Sequence, residues 1–449
     1  MRSFLLALLL VPAVATSAAA QAGQVDQSSF SHTLAAGAGA RAWGMGGAQI
    51  AVTGDTDSVT WNPAGLARVV RPAFTVSFST DRVNGTVPEI LYRNPSAQRS
   101  GLVDVGRITS TRAQASGSGV DLVAIAWPFT LRGRRLVAAV VFDRRLAFAR
   151  DVEAAYEFRH QSLYTFNYDY AMNSAQRGAF DTAAASLAFQ PHPRVLVGGT
   201  VRRWFGEATL PTGESYDYSL ADYYSWTGTY SENLSDTVRL AMSGIGVDAG
   251  VVVTLMKDRV VAGVVYRGGV SADLDYANAP AFSSTNTHES FSSTYSGHGT
   301  LTLPDSFGVG LAITVTPRLL VTIDDVQTRW SRARIEAYAR TTAQGATPAP
   351  TTYLFPVMKP AAGLAQSDTA RVATGVEYRL SLRSLTLPVR AGAFYQQTSF
   401  DDGTPATWGL TAGTSVGWHH ATMDVAYVRF SATGRYVRHS VRASLGYAF

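Results

Sequence analysis

The chain has 449 residues, 46% of them hydrophobic and only 16% charged, with no cysteine. A net charge of +5 dispersed over this length gives no case for nucleic-acid binding, and the lack of thiols excludes a disulfide framework and thiolate metal sites. A mean hydropathy of +0.03, with 40 glycines and 20 tyrosines, points toward strands, turns and interfacial aromatics.

At the start, Arg2 precedes an apolar stretch from Phe4 to Val14. Small residues follow, with Ala18-Ala19-Ala20 or Ala20-Gln21-Ala22 fitting a cleavage site, so residues 1–22 read as a secretory signal peptide. Downstream there is no run of eighteen apolar residues, the length a membrane helix requires. Residues 23–70 do not alternate. They are dense in small residues: Gly37, Gly39, Gly44, Gly46 and Gly47 allow tight turns and close backbone approach, and Asn62-Pro63-Ala64 punctuates a short helix or turn. A segment of this length ahead of a barrel fits a plug inside the lumen.

From residue 71 onward, period-2 alternation predicts fourteen strands, at roughly 71–80, 119–129, 135–150, 179–190, 195–206, 241–256, 260–276, 300–315, 319–338, 368–380, 386–400, 406–418, 421–431 and 436–449. Connections after even strands are tight and rich in turn formers, as in Pro191-His192-Pro193-Arg194 and Thr316-Pro317-Arg318. Most connections after odd strands are long, namely 81–118, 151–178, 207–240, 277–299 and 339–367. An even strand number with short turns at one end and long loops at the other is the pattern of an all-β, transmembrane antiparallel β-barrel. It predicts an outer-membrane location, contact with outer-membrane lipids, and both termini in the periplasm. A soluble sandwich would alternate too, but would need no strands of this length.

In the last strand Val437, Val441, Ala443, Leu445, Tyr447 and Phe449 alternate with Arg438, Ser440, Arg442 and Ser444. Arginine at the midplane of a lipid face costs about 2 to 4 kcal/mol, so Arg438 and Arg442 are expected to face the lumen. In the tenth strand, Ala370, Val372, Val376, Tyr378 and Leu380 lie opposite Arg371, Glu377 and Arg379. The loops hold aromatics: Tyr164, Phe166, Tyr168 and Tyr170 at spacing two, and Tyr216, Tyr218, Tyr223, Tyr224, Trp226 and Tyr230. They read either as an aromatic girdle at the outer headgroup level or as a ligand groove.

The run GARAWGMGGAQIAVTGDTDSVTWNPAGLA, Gly39 to Ala67, resembles the N-terminal hatch of the FadL/TodX family of outer-membrane transporters for long-chain fatty acids and aromatic hydrocarbons. Asn62-Pro63-Ala64 matches the family's NPA motif. TLPDSFGVGLAI from Thr302, Trp330-Ser331, RVATGVEYRL from Arg371 and GYAF at Gly446 to Phe449 extend the likeness over nearly the whole mature chain. The resemblance implies a 14-stranded barrel (71–449) plugged by its N-terminal domain (23–70), conducting hydrophobic small molecules by passive diffusion. It also implies recognition of the terminal Phe449 by the barrel-assembly machinery. In the family a kink in the third strand opens the wall sideways; the comparable stretch here, Phe142-Asp143-Arg144-Arg145-Leu146, has no glycine, although mid-strand charges can mark a break in pairing.

On that reading Tyr164, Phe166, Tyr223 and Trp226 are candidates to meet an amphipathic ligand. Arg202, Arg371, Arg438 and Arg442 are candidates to anchor a carboxylate by charge-assisted hydrogen bonds, or else to pair with carboxylates such as Glu377. Gly44, Gly46, Gly47, Asn62, Pro63 and Ala64 form the hatch motif. The glycines Gly44, Gly46 and Gly47 follow no strand of a βαβ unit and so do not make a phosphate loop. Asp55 and Asp57, or Asp324 and Asp325, lack the remaining ligands of a calcium loop, so no metal and no cofactor are expected. The eight histidines are scattered, which argues against an enzyme. A second reading is a scaffold barrel that presents cargo in protein export.

Overall fold

A computed structural model describes residues 37–85, 91–93, 105–148, 150–161, 164–222, 227–256, 259–279, 281–285, 290–292, 294–341, 367–382, 385–397, 406–432 and 436–449. The expected signal peptide (1–22), the first residues of the expected hatch, and Tyr223 and Trp226 lie outside them. Fourteen antiparallel strands form one closed sheet. They are β1 Ala73–Gly85, β2 Val105–Leu131, β3 Arg134–Ala147 continued by Arg150–Gln161, β4 Tyr164–His192, β5 Val195–Asp222, β6 Thr227–Met256 and β7 Val260–Arg267 continued by Val270–Asn278. There follow β8 Tyr295–Leu303 continued by Ser306–Thr316, β9 Leu319–Thr328 continued by Arg334–Thr341, β10 Thr369–Leu382, β11 Leu385–Gln396, β12 Thr407–Trp418, β13 Ala421–Ala432 and β14 Tyr436–Ala448. Each strand pairs with its sequence neighbours, and β1 pairs with β14 from Ala73↔Ala448 to Gly85↔Tyr436, which closes the barrel and leaves no edge.

The predicted phase holds. Val123, Ile125, Trp127, Val309, Leu311, Ile313, Leu445 and Tyr447 are exposed on the outer face, while Arg202, Asp324, Arg371, Arg438 and Ser444 are buried inside. The two-residue β2–β3 turn uses Arg132 and Gly133, at φ of 52° and 75°, the left-handed geometry that a tight hairpin selects. Phe449, on the outer face beside the Tyr447 and Phe74 rings, donates its N–H to the Pro72 carbonyl at 2.8 Å. No helix among the described residues is long and apolar enough to cross a membrane; the strands provide the crossing.

Several predicted long loops are corrected. Residues 105–118, 150–161, 164–178, 207–222 and 227–240 continue as paired strands, so β4 and β5 run unbroken to the Tyr164↔Asp222 pair. Their polar, Tyr- and Thr-rich composition hid the strand signal, because beyond the hydrocarbon neither face needs to be uniformly apolar. In this upper part the phase inverts in β7: Val270, Ala272, Leu274 and Tyr276 are buried, while Ser271, Asp273 and Asp275 are exposed.

Residues 37–69 lie inside the ring. Helix α1 (Ala40–Gly44), helix α2 (Ser58–Trp61) and a 3-10 turn (Pro63–Arg68) are almost wholly buried. Gly46 shows why this packing requires its residue type. Gly46 has φ 69°, and a β-carbon there would lie 2.6 Å from the Thr374 carbonyl oxygen and 2.7 Å from that of Ala393.

Candidate functional site

Asn62 organises the inner segment. Its Oδ1 accepts from the Ala64 N–H at 3.1 Å, capping the 3-10 turn that Pro63 begins with its fixed φ. Its Nδ2 donates to the Ile50 carbonyl at 2.9 Å and reaches those of Val264 (3.3 Å) and Val251 (3.4 Å) on the wall. The Asn-Pro-Ala order thus joins a cap, a helix start and a small residue that fits closely against β5. On the other side of the ring Gly46 N–H donates to Thr411 Oγ1 at 2.9 Å, and Thr411 donates to the Gly44 carbonyl. Gly47 leaves room for Arg371.

The wall holds this segment chiefly by its backbone. Asp324 Oδ2 accepts from the N–H groups of Gln49 (2.6 Å) and Ile50 (2.8 Å). Arg371 donates to the Gly46 carbonyl at 2.7 Å, Arg267 to that of Trp61 at 2.8 Å, and Arg202 to that of Val59 at 3.3 Å. Arg135 donates to the Val69 carbonyl, and Ser444 Oγ accepts from the Ala40 N–H at 2.8 Å. Arg202 also binds Asp248 and Asp143, while Arg371 lies over the Phe394 ring at 5.0 Å and near that of Trp43.

At the end nearer the termini, Arg41 on α1 bridges Asp55 and Glu377, and Glu377 accepts in turn from Arg390 at 2.8 Å. Burial opposes the Arg41 charge, but Asp55 and Glu377 outweigh it and hold the guanidinium more firmly protonated than usual. Burial pushes the Asp57 carboxyl well above the ordinary carboxylate range, and Asp55 beside it adds to the rise. These groups border an opening of about 420 Å3 between the segment and β1 and β10 to β14.

Arg438 and Arg442 occupy a different setting. Arg438 donates to Asp81 at 2.6 Å and stacks on Phe430, and Arg442 reaches Asp121 at 3.4 Å over the Trp43 ring. Both keep a buried Nε without a partner. They line a cavity of about 60 Å3 with Trp43, Asp143, Arg144 and Arg145. Beside it the wall is interrupted. β2 pairs with β3 below, from Leu122↔Asp143, and above, from Ser116↔Asp151, whereas residues 117–121 make no pair with the described residues of β3. The missing glycine of β3 is supplied by the strands beside it. Gly119 of β2 faces the break, with Arg144 Nη1 2.8 Å from where its β-carbon would stand, and Gly178 of β4 (φ 102°) accepts from Phe148 N–H. Arg144, bound to Asp181 at 3.0 Å, crosses the gap.

Above the break the interior is apolar, packed by Leu146, Phe148, Phe180, Trp204, Leu240 and Met242 with residues of β7 to β9. Tyr164 and Phe166 occupy the upper end of β4, in register with Asp222 and Leu220. Of the four predicted arginines, the structure brings Arg438 and Arg442 together and sets Arg202 and Arg371 apart on the segment. Sequence reasoning missed Arg267, Arg135, Asp81 and Asp121, and it named Asp324 and Asp143 without the contacts they make. A charge on the inward phase of an otherwise apolar strand is the signal that could have found them.

The family model described as "Outer membrane protein transport protein (OMPP1/FadL/TodX)" matches residues 11–433. The chain belongs to this family of outer-membrane transport proteins for hydrophobic compounds. Structures agree in fold. A FadL homologue from Pseudomonas aeruginosa is 13% identical with a TM-score of 0.60, over 92% of this chain and 98% of that one. The toluene transporter TodX of P. putida is 15% identical at 0.57, over 92% and 99%, and the CymD monoaromatic hydrocarbon channel 16% identical at 0.57, over 93% and 98%. No curated protein sequence matches the chain. FadL/TodX members are transport channels, and this chain is a channel of that kind rather than an enzyme.

Proposed function

We propose that this FadL/TodX-family protein passes long-chain fatty acids across the outer membrane by passive diffusion, with residues 23–70 as a hatch and the break between β2 and β3 as the exit. Both termini lie in the periplasm on this reading. The observation that carries it is the placing of Arg438 and Arg442, each with a free buried Nε, beside that break and below an apolar interior. An amphipathic chain fits such a lining: its carboxylate takes charge-assisted bonds from the two guanidiniums while its tail lies among Phe148, Phe180 and Leu240. A monoaromatic hydrocarbon, the cargo named for TodX and CymD, leaves those nitrogens unused. Arg202 and Arg371 act as clamps on the hatch, and Tyr164 and Phe166 belong to the entry wall.

The test is uptake of labelled oleate against labelled toluene by cells carrying Gly119→Phe, which fills the break, or Arg438→Gln with Arg442→Gln. Oleate uptake is expected to fall at least about tenfold in each, by obstruction of the exit in the first and by loss of desolvated charge contacts in the second, with toluene entry unchanged in the arginine variant. Oleate uptake at the wild-type rate in both variants would refute the proposal.

A further inference from the structure

The outer face carries a group of basic residues that the transport route does not use. Arg82 of β1 and Arg429 of β13 are each in register with His439 of β14, so three adjacent strands present Arg82, His439 and Arg429 side by side. Both arginines are exposed and make no hydrogen bond or ion pair among the described residues. His439 is held in place: the Tyr427 hydroxyl lies 2.6 Å from its Nδ1, and the two rings stack at 6.0 Å. The rows on either side contain Asn84, Val437 and Ser431 above and Thr80, Val441 and Tyr427 below, without a carboxylate. The same face bears exposed Val425, Val441 and Leu445. Another outward arginine, Arg203, is satisfied differently, by Ser243.

Height locates the group. From Tyr447 to His439 the strand climbs eight residues, about 26 Å at about 3.3 Å per residue. A tilt of about 45° makes that roughly 19 Å along the membrane normal. With Tyr447 and the exposed Trp418 at the lower rim, His439 stands roughly 6 Å below the upper rim of an apolar band about 25 Å tall, a distance that the long arginine side chains beside it span to reach the headgroups. Basic side chains placed opposite one another across strands repel, and an uncompensated arginine at hydrocarbon is costly. What relieves both is an anion at headgroup depth.

We propose that Arg82, His439 and Arg429 form a binding site for a phosphate of an anionic lipid headgroup in the outer leaflet, with the lipid's acyl chains lying along Val425, Val441 and Leu445. The leaflet assignment rests on the orientation given under Proposed function; the site itself does not depend on transport. Two guanidiniums with several donors each can grip one phosphate from both sides, and His439 Nε2 has no partner among the described residues.

The test is native mass spectrometry of the full-length protein in neutral detergent with added lipid A, with phosphatidylcholine as the neutral comparison. The wild type is expected to retain lipid A at least about tenfold better than Arg82→Ala with Arg429→Ala, and Arg82→Lys with Arg429→Lys to recover a large part of it. Phosphatidylcholine is expected to bind all three alike. Equal retention of lipid A by the wild type and the alanine variant overturns the proposal, and so does displacement of lipid A by millimolar inorganic phosphate, which marks a site for free phosphate. Heat-modifiable electrophoretic mobility confirms that each variant is folded. Parallel oleate uptake separates the two ideas, since lost uptake with lipid A retained speaks against transport alone.

Discussion

Asn62 and Asp324 show how few side chains position the inner segment. Asn62→Ala removes the cap of the 3-10 turn and its donors to Ile50, Val251 and Val264, and a lost cap costs about 1 kcal/mol. Asp324→Ala leaves the Gln49 and Ile50 N–H groups buried without an acceptor, a cost of about 1 to 3 kcal/mol for each such group. Hydrogen exchange of residues 46–66 is expected to speed up in both variants, more in the second, while β12 to β14 keep their protection; unchanged exchange would show that these contacts do not hold the segment. The Asn62-Pro63-Ala64 motif could be read in the sequence because its residue types have narrow backbone roles. Asp324 could not, since a carboxylate facing the lumen reads as a solvated lining residue until the backbone it binds is known.

Strand number and the lower connections were legible because hydrocarbon demands strict alternation and tight turns over its whole thickness. The upper strands were not, because water on the outside and apolar packing inside reverse the pattern at Gly268 and Gly269 in β7. The wall break stayed open when read from β3 alone: an interruption between two strands depends on both, and Gly119 and Gly178 lie on the neighbours. At this scale the decisive test is immobilising the inner segment. In a chain without native cysteine, Ala40→Cys with Ser444→Cys joins two positions already linked by a 2.8 Å hydrogen bond. Oxidation is expected to abolish oleate uptake and reduction to restore it, and uptake indifferent to redox state would mean that the segment does not move during transport.

Across the whole molecule, the charges around the inner segment make its attachment depend on pH. Asp57 faces Asp55, Arg41 and Asp424, and Glu377 and Arg390 complete the group. Because burial raises the Asp57 carboxyl in the folded state, protonation favours the docked form. That contribution is fully present below the unfolded value of about 3.9 and is lost as pH rises through the raised folded value. Exchange in residues 46–66 is therefore expected to be faster at pH 8 than at pH 5 beyond the intrinsic chemical change, and Asp57→Asn is expected to flatten the difference. A pH dependence identical in that variant would remove Asp57 from the account.

Closure of β1 on β14 has a consequence for how the chain reaches this state. The two strands lie at opposite ends of the barrel sequence, so their pairing has a very long loop to close and is expected to form late. The contacts Arg438 to Asp81, Ser77 to Ser444 and Arg442 to Asp121 cross or adjoin this seam, and none exists before it shuts. Ala40 binds Ser444 at the same place, which puts the inner segment within the ring as the last ladder zips. Folding order is thus built into the seam: the segment is enclosed by the same step that completes the wall.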